Sequence, residues 1–530
     1  MKLDYLILKG SLQNKIGNYR IALEICQEII KKSREVDNFL KEFDGINHLL
    51  YIYRKLGRID EGLEIVQETE KKIKILESFY SNVKEEFLRR KARLFRRKAM
   101  LFVEKDQPNK ALECLEESLS IGKTIEDPDR IAKVLSSIGI IKGYQGKIQE
   151  AEEVFRSALE ALENNNLHDT EHAAEILFSI IEMLGINNRL ENAEEYLIKL
   201  FKIQESLGKE KNIIQQRYEL ANALVLSCSD RLVDKMRSQE ILYKLMDDIT
   251  ISHDFRVKVI SKLCESLLFE LEITGENEIF DELKILSEKY MEMAHTSHSY
   301  SLFSRGLFLQ SKLALLELNI AKAREILTQA ELLAYEKGLT RLSRKISNEH
   351  DFLLKQLDHW DSYKQKSNFK ERVKLAKVED EVIKAIRKKG NIKYQENENP
   401  AFLQVFTIDG FSLYAKRFGN YAKTINDQLI SGFLSALNNF GKKALNASGG
   451  IDRIRYGEHT IVVRKKRDFM FGYIFQGQAY DAIRRLELFI DDVIRPPIWD
   501  HFIHASTKNR IIQGEEKRQL DEITNTIFPL

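Results

Sequence analysis

The stretch Val134-Leu135-Ser136-Ser137-Ile138-Gly139-Ile140-Ile141-Lys142-Gly143-Tyr144-Gln145-Gly146-Lys147-Ile148-Gln149-Glu150-Ala151-Glu152-Glu153-Val154-Phe155-Arg156-Ser157-Ala158-Leu159 decides the fold. Val134, Leu135, Ile138 and Ile141 recur at helical spacing, the run breaks between Gly143 and Gly146, and Ala151, Val154, Phe155, Ala158, Leu159 and Leu162 resume the same period. One amphipathic helix therefore folds back on the next. Gly139 and Ala151 are small where two helices must approach closely, and Gly146 suits a turn that L side chains disfavour.

The same frame recurs in both directions. Gly10 and Gly17 precede Ala22, and Ala99 and Asp106 precede Ala111. Turns are predicted at Gly17, Gly57, Asp106, Gly146 and Asn188, with a later copy at Leu318-Asn319 leading into Ala323 and Ala330. The spacing is about 40 residues with one longer step, as in helical-repeat arrays. Prolines occur only at 108, 128, 400, 496, 497 and 529, so nothing between Pro128 and Pro400 forbids continuous helix. From about Ser227 to Tyr300 turns are visible but no clean frame is.

Ser136-Ser137-Ile138-Gly139, then Gly146-Lys147-Ile148-Gln149-Glu150-Ala151, then Phe155 and Ala158 resemble tetratricopeptide repeats. The resemblance covers roughly residues 1 to 350; it departs in its longer period and in Gly62, where alanine is usual. HEAT or armadillo arrays fit the spacing but match the motif less well. The resemblance implies a superhelix with a concave groove that holds peptides or helices, lined by the first helix of each pair. By that carry-over Asn14, Lys15, Asn47, Tyr51, Arg54, Arg93 and Arg96 would line the groove and suit an acidic or carboxylate-bearing ligand. They do not make up the full clamp of chaperone-binding members.

The run Arg89-Arg90-Lys91-Ala92-Arg93-Leu94-Phe95-Arg96-Arg97-Lys98 admits two readings. Leu88, Ala92, Phe95, Ala99 and Phe102 form one stripe, so the cations are either what remains on the wet face or a partner-binding surface. Nucleic acid is disfavoured: no aromatics interleave with these cations, and the whole chain of 530 residues carries a net charge of only +2 with 31% charged residues. The four cysteines show no metal-binding spacing and read as core residues of a reducing compartment. The N-terminus lacks the apolar core of a signal peptide and no run is long and apolar enough for a bilayer, so a cytoplasmic setting is expected.

Beyond Trp360 comes a charged helical stretch, Lys364 to Lys389, which could pair with another helix or serve as a solvated spacer, then a polar linker ending at Pro400. After it the composition changes. Phe402 to Ile408 reads as a strand, Asp409-Gly410 as a turn and Phe411 to Phe418 as its hairpin partner. A helix through Leu429, Phe433 and Leu437 follows, then strands near Ile451–Tyr456, His459–Lys466 and Phe469–Phe475, then a helix stopped by Pro496-Pro497. This ββαβββα order describes an antiparallel sheet with its helices packed on it. The order and its opening hairpin look like the roadblock and longin superfamily of profilin-like sheet domains. That resemblance implies a non-catalytic module that dimerises or binds partners, often small GTPases and their regulators.

No P-loop, GxSxG, HExxH or GxGxxG is present. His501 and His504 could share a helical face but lack further ligands, and Glu171-His172 reads as exposed helix. No enzyme activity, cofactor or metal is expected. The expected fold is mainly α: a helix-turn-helix repeat superhelix (α-solenoid) followed by a small α+β domain with a five-stranded antiparallel sheet. Its organisation is a repeat domain over 1–358, a charged helical connector and linker over 359–399, an α+β domain over 400–496 and a tail over 497–530. The expected function is a non-catalytic scaffold. Its groove takes a peptide or helix of a protein partner, and its α+β domain mediates dimerisation or docks a small GTPase or its regulator, without nucleic acid and without a membrane-embedded segment. The alternative is a ligand-sensing regulator that controls a transcription factor or kinase through its repeats.

Overall fold

The computed structural model describes residues 2–76, 84–167, 170–187, 189–207, 212–355, 370–373, 398–419, 427–444, 453–477 and 479–528. They fall into two compact units, Met1–Ser343 with Ser362–Asn391, and Arg344–Asp361 with Ile392–Leu530. No described helix is long and apolar enough to cross a membrane.

The first unit is an α-solenoid of stacked helical hairpins. These are α1–α2 (Lys2–Lys15, Tyr19–Glu35), α3–α4 (Phe39–Leu56, Ile59–Leu76), α5–α6 (Lys84–Glu104, Pro108–Thr124) and α7–α8 (Pro128–Tyr144, Ile148–Glu163). There follow α9–α10 (Glu171–Ile186, Leu190–Leu207), α11–α12 (Asn212–Cys228, Leu232–Asp247), α13–α14 (His253–Thr274, Asn277–Thr296) and α15–α16 (Tyr300–Leu316, Ile320–Glu336), and then α17 (Thr340–Lys355).

The starts of these helices are written locally. Side chains of Asn38, Asp127, Thr170, Ser252 and Ser299 accept from backbone N–H groups in the first turns of α3, α7, α9, α13 and α15, and Pro108 and Pro128 open α6 and α7. The turns inside the hairpins use left-handed residues at Gly17, Gly57, Asp106, Gly146 and Leu318, all positions picked out in the sequence. Asn188 lies outside the described residues.

Each hairpin closes where a small residue lets two helices meet. Ala22, Ala99, Ala111, Ala151 and Ala158 are wholly buried, and a Cβ added to Gly139 would stand 2.8 Å from the Phe155 ring. The blurred stretch from Ser227 to Tyr300 is no exception to the array: it holds α12 to α14, among them the long 22-residue α13.

The winding brings the start of the unit onto its later hairpins. Gly17 packs under His253, Gly57 lies against Tyr300, Ser301 and Leu339, and the Ser299 hydroxyl donates to the Lys55 carbonyl at 2.5 Å. Of the connector expected over 359–399, only 370–373 and the last two residues are described. Val373 is buried in the solenoid core and Arg372 Nη1 donates to the Leu316 carbonyl at 3.0 Å, so this short piece packs on the solenoid and is no solvated spacer.

The second unit centres on five antiparallel strands, β1 (Asn399–Thr407), β2 (Ser412–Arg417), β3 (Arg453–Tyr456), β4 (His459–Lys466) and β5 (Phe469–Gln476), in the order β2-β1-β5-β4-β3. Alternation along the strands serves two faces. Phe406, Val463 and Met470 meet Leu434 of α18 (Asp427–Ala444), while Val405, Val462, Phe471 and Tyr473 face α19 (Ala479–Val493), α20 (Ile498–Thr507) and α21 (Gly514–Ile527).

Two expected boundaries move. Residues 497–530 are no tail, because Trp499, Phe502, Leu520 and Phe528 complete the core under the sheet. All of α17 from Arg344 onward groups with the sheet unit: Asp351 holds the fully buried Arg453 of β3 at 2.7 Å and accepts from the Ala479 amide at 3.0 Å.

Replacing Gly139 by alanine should lower stability by about 1–2 kcal/mol in urea titration, since overpacking against Phe155 outweighs the gain of about 1 kcal/mol in helix propensity. Gly143→Ala, which meets only the flexible Met183 side chain, should be close to neutral in the same assay.

Candidate partner-binding face of the solenoid

The site grows from three first helices of successive hairpins, α3, α5 and α7. On α5, Arg93, Arg96 and Arg97 stand three and four residues apart and so share a face. Leu94, Ala99 and Leu101 are buried, which turns that cationic face away from the helix pair's own core. The run Arg89–Lys98 divides accordingly. Arg89 pairs with Glu85, Arg90 reaches the Leu40 carbonyl and Asp44, and Lys98 pairs with Glu70. Arg93 lies 3.8 Å from Asp44, a carboxylate already committed to Arg90.

Arg96 has no ion-pair or hydrogen-bond partner among the described residues, and Arg97 has only the Tyr51 ring, 4.8 Å from its guanidinium. Arg130 of α7 is 7% exposed, and its buried Nε has no acceptor.

Their electrostatics follow from this crowding. Burial lowers the Arg97 guanidinium to about 9, with Arg96, Arg54 and Arg93 adding repulsion and Tyr51 opposing it. Burial, then Arg93, brings Arg130 to about 10, against the pull of Asp127 and Asp129. Arg96 shifts down for the same first reason, with Glu175 and Asp129 opposing. A surplus of cations in a recessed, partly desolvated setting costs free energy that a bound anion would recover.

The carboxylates in range are otherwise engaged. Glu104 lies 3.5 Å from Arg54, Asp129 holds Lys133 at 2.6 Å and His172 at 2.5 Å, and Asp127 caps α7 and lies 3.6 Å from Arg89.

Of the residues the sequence singled out, Tyr51, Arg54, Arg93 and Arg96 meet here. The Tyr51 hydroxyl donates to Asp254 at 2.9 Å while Lys55, Arg97 and Arg54 approach its ring. Asn47 is buried between α3 and α5, donating to the Phe43 and Arg90 carbonyls at 3.0 and 3.4 Å, so its amide serves helix packing. Asn14 and the exposed Lys15, at the end of α1, share no interaction with the cluster among the described residues.

Arg97, Arg130, Lys55 and Asp254 were not singled out. Arg97 was legible as the residue four beyond Arg93; Asp254 carries no local signal at all. Glu171 and His172 are more than exposed helix, linking α9 to Arg217 of α11 and Asp129 of α7. His501 sits beside Gln519 and Glu516.

The architecture defines the class first: a solenoid of stacked helical hairpins. Residues 90–164, covering most of α5 through α8, match the tetratricopeptide-repeat family profile. No curated protein matches the chain.

Among solved structures, a Rap protein complexed with competence and sporulation factor is similar at 13% identity and TM-score 0.43, over 73% of this chain and 99% of that one. A circular tandem repeat protein with novel repeat topology and enhanced subunit contact surfaces is similar at 13% identity and TM-score 0.19, over 73% and 99%. Naa15/Naa10 bound to HypK-THB is similar at 12% identity and TM-score 0.18, over 74% and 68%.

His48 of α3 reports on this face. Burial first, then Arg97 and Arg93, hold its imidazole down at about 4, with Asp44 opposing. The folded state therefore binds this proton later than the unfolded chain, whose histidine titrates near 6.5, and stability falls as pH drops from about 6.5 towards 4. At about 1.4 kcal/mol per pH unit this contributes at most about 3 kcal/mol. His48→Gln should flatten that part of the pH profile in urea unfolding at pH 7 and 4.5; an identical slope in wild type and variant would rule the histidine out.

Proposed function

We propose that the protein is an interaction scaffold whose solenoid takes an acidic segment of a protein partner on its inner face. The observation that carries this reading is the surplus of guanidinium groups without an ion-pair partner among the described residues, on Arg96, Arg97 and Arg130, beside Arg54 and Arg93. A fold consistent at every other level keeps such an arrangement where function uses it. Planar guanidinium groups suit carboxylates, which accept two parallel hydrogen bonds from one fork.

Neighbouring inner helices stand about 8–10 Å apart, so the cations of α3, α5 and α7 span roughly 20 Å. An extended segment covers that distance in about six residues, which favours several spaced carboxylates over a single terminal one. A cytoplasmic setting belongs to the same proposal and is supported by four cysteines that form no disulfide among the described residues, three of them buried.

For the sheet unit, the roadblock- or longin-like reading is supported by its ββαβββ order with helices on both faces. No side-chain arrangement among its described residues singles out self-association or a small GTPase, so the proposal rests on the solenoid.

A short fluorescein-labelled peptide rich in glutamate should bind the wild-type chain in fluorescence anisotropy, with affinity falling as salt rises. The double variant Arg96→Glu with Arg97→Glu should bind it at least about 30-fold more weakly, as two attractive contacts become repulsive. A folded double variant with undiminished binding would remove this face as the site.

A further inference from the structure

The carboxylate that would compete with an incoming acidic segment is already in the molecule. Asp254, near the start of α13, accepts from the Tyr19 hydroxyl at 2.9 Å, the Tyr51 hydroxyl at 2.9 Å and the Lys55 ammonium at 2.6 Å. Its donors belong to α2 and α3, some two hundred residues earlier in the chain, so these three bonds close the winding of the solenoid upon itself.

The neighbouring contacts are shaped to the same junction. His253 stacks edge-on against Tyr19 with ring centres 5.5 Å apart, and Gly17, at φ +84°, leaves room for that imidazole where any Cβ would collide with it. Tyr51 belongs to both arrangements: its hydroxyl goes to Asp254, and its ring to Arg97. Lys55 carries the strain of the junction. Burial first, reinforced by Arg54 and Lys258 and opposed by Asp254, brings its ammonium down to about 8, while against burial Lys55, Tyr51 and Tyr19 hold the Asp254 carboxyl well below the usual range.

We propose that Asp254 is an internal stand-in for a side-chain carboxylate of the bound segment, latching the first two hairpins onto α13 until a ligand carboxylate takes over Tyr51 and Lys55. The inference rests on the acidic-segment reading and adds its regulation. A ligand that replaces Asp254 satisfies the same donors and frees the junction to open, so binding and opening are coupled through Tyr51 and Lys55. The apparent affinity of the closed chain is lowered by the fraction of molecules in which the latch is shut.

The test compares wild type, Asp254→Asn and Gly17→Ala with the glutamate-rich peptide in fluorescence anisotropy, and follows hydrogen exchange of residues 13–22 and 299–303. Gly17→Ala strikes the junction through His253 without touching Asp254, Tyr51 or Lys55, and it decides the matter should Asp254→Asn fail to fold. Removing the latch is expected to speed exchange at both segments and to tighten peptide binding by about tenfold, the factor for a closed form outnumbering the open one by about ten to one.

Equal or weaker binding by a folded variant, with wild type binding the peptide and Arg96→Glu with Arg97→Glu not binding it, overturns the latch and leaves the acidic-segment reading standing. Peptide binding by no variant at all overturns that reading and the latch with it.

Discussion

The close meeting of a small residue with a large one, within a helical hairpin and between successive hairpins, is the constraint on which the rest depends. Gly139 against Phe155 within α7–α8, and Gly45 against Ile29 and Gly62 against Leu101 between successive hairpins, let the helices approach until any added atom on the small side would press on its neighbour. Approach at that distance fixes how each hairpin is set on the next, because a close-packed interface transmits geometry without slack. A hairpin cannot bury its own face alone, so the stack must continue, and its first helices form one continuous inner surface. The placement of Arg54, Arg97 and Arg130 follows: they converge because the turns and small residues before them fix the winding.

Convergence of like charges is expensive, and the inner face shows how the cost is contained. Asp44, Glu104 and Asp129 neutralise Arg90, Arg54 and Lys133, and Tyr51 gives Arg97 the face of its ring. The remainder is not neutralised. A core selected only for stability would have closed this account with carboxylates or apolar side chains, since replacing buried charge by hydrophobic packing is often neutral or stabilising. Arg96, Arg97 and Arg130, without an ion-pair partner among the described residues, are therefore the observation from which the acidic-segment proposal starts.

Much of the architecture was legible in the sequence, for a local reason. Gly17, Gly57, Gly146 and Asp106 mark left-handed turns, and the alanines beside them mark close helix contacts, so the hairpins could be read directly. The sheet was legible too: the Gly457 and Arg467 turns separate strands at the residues the pattern gave. Junctions between hairpins were harder, because Asp37, Glu126 and His298 take left-handed conformations that glycine would have advertised. The blurred region lacked a frame because Gly275, the one glycine turn there, stands between two unusually long helices. Residues 497–530 were misjudged because Pro496-Pro497 stops a helix, and a stop gives no sign that packing resumes beyond it.

The candidate site was half legible, and the division is physical. Arg54, Arg93 and Arg96 are periodic features of single helices, available to any reading that places a helix and asks which face is wet. Asn47 lies on the same helices yet is buried between them, because neighbouring positions on a helix differ by a rotation that periodicity alone does not anchor. Asp254 belongs to another category. Its role depends on how far the solenoid turns before its start meets its later hairpins, a quantity summed over every intervening contact and encoded at no single position. The small residues that set each step of the winding thus also decide, cumulatively, that Tyr19, Tyr51 and Lys55 find a carboxylate at all.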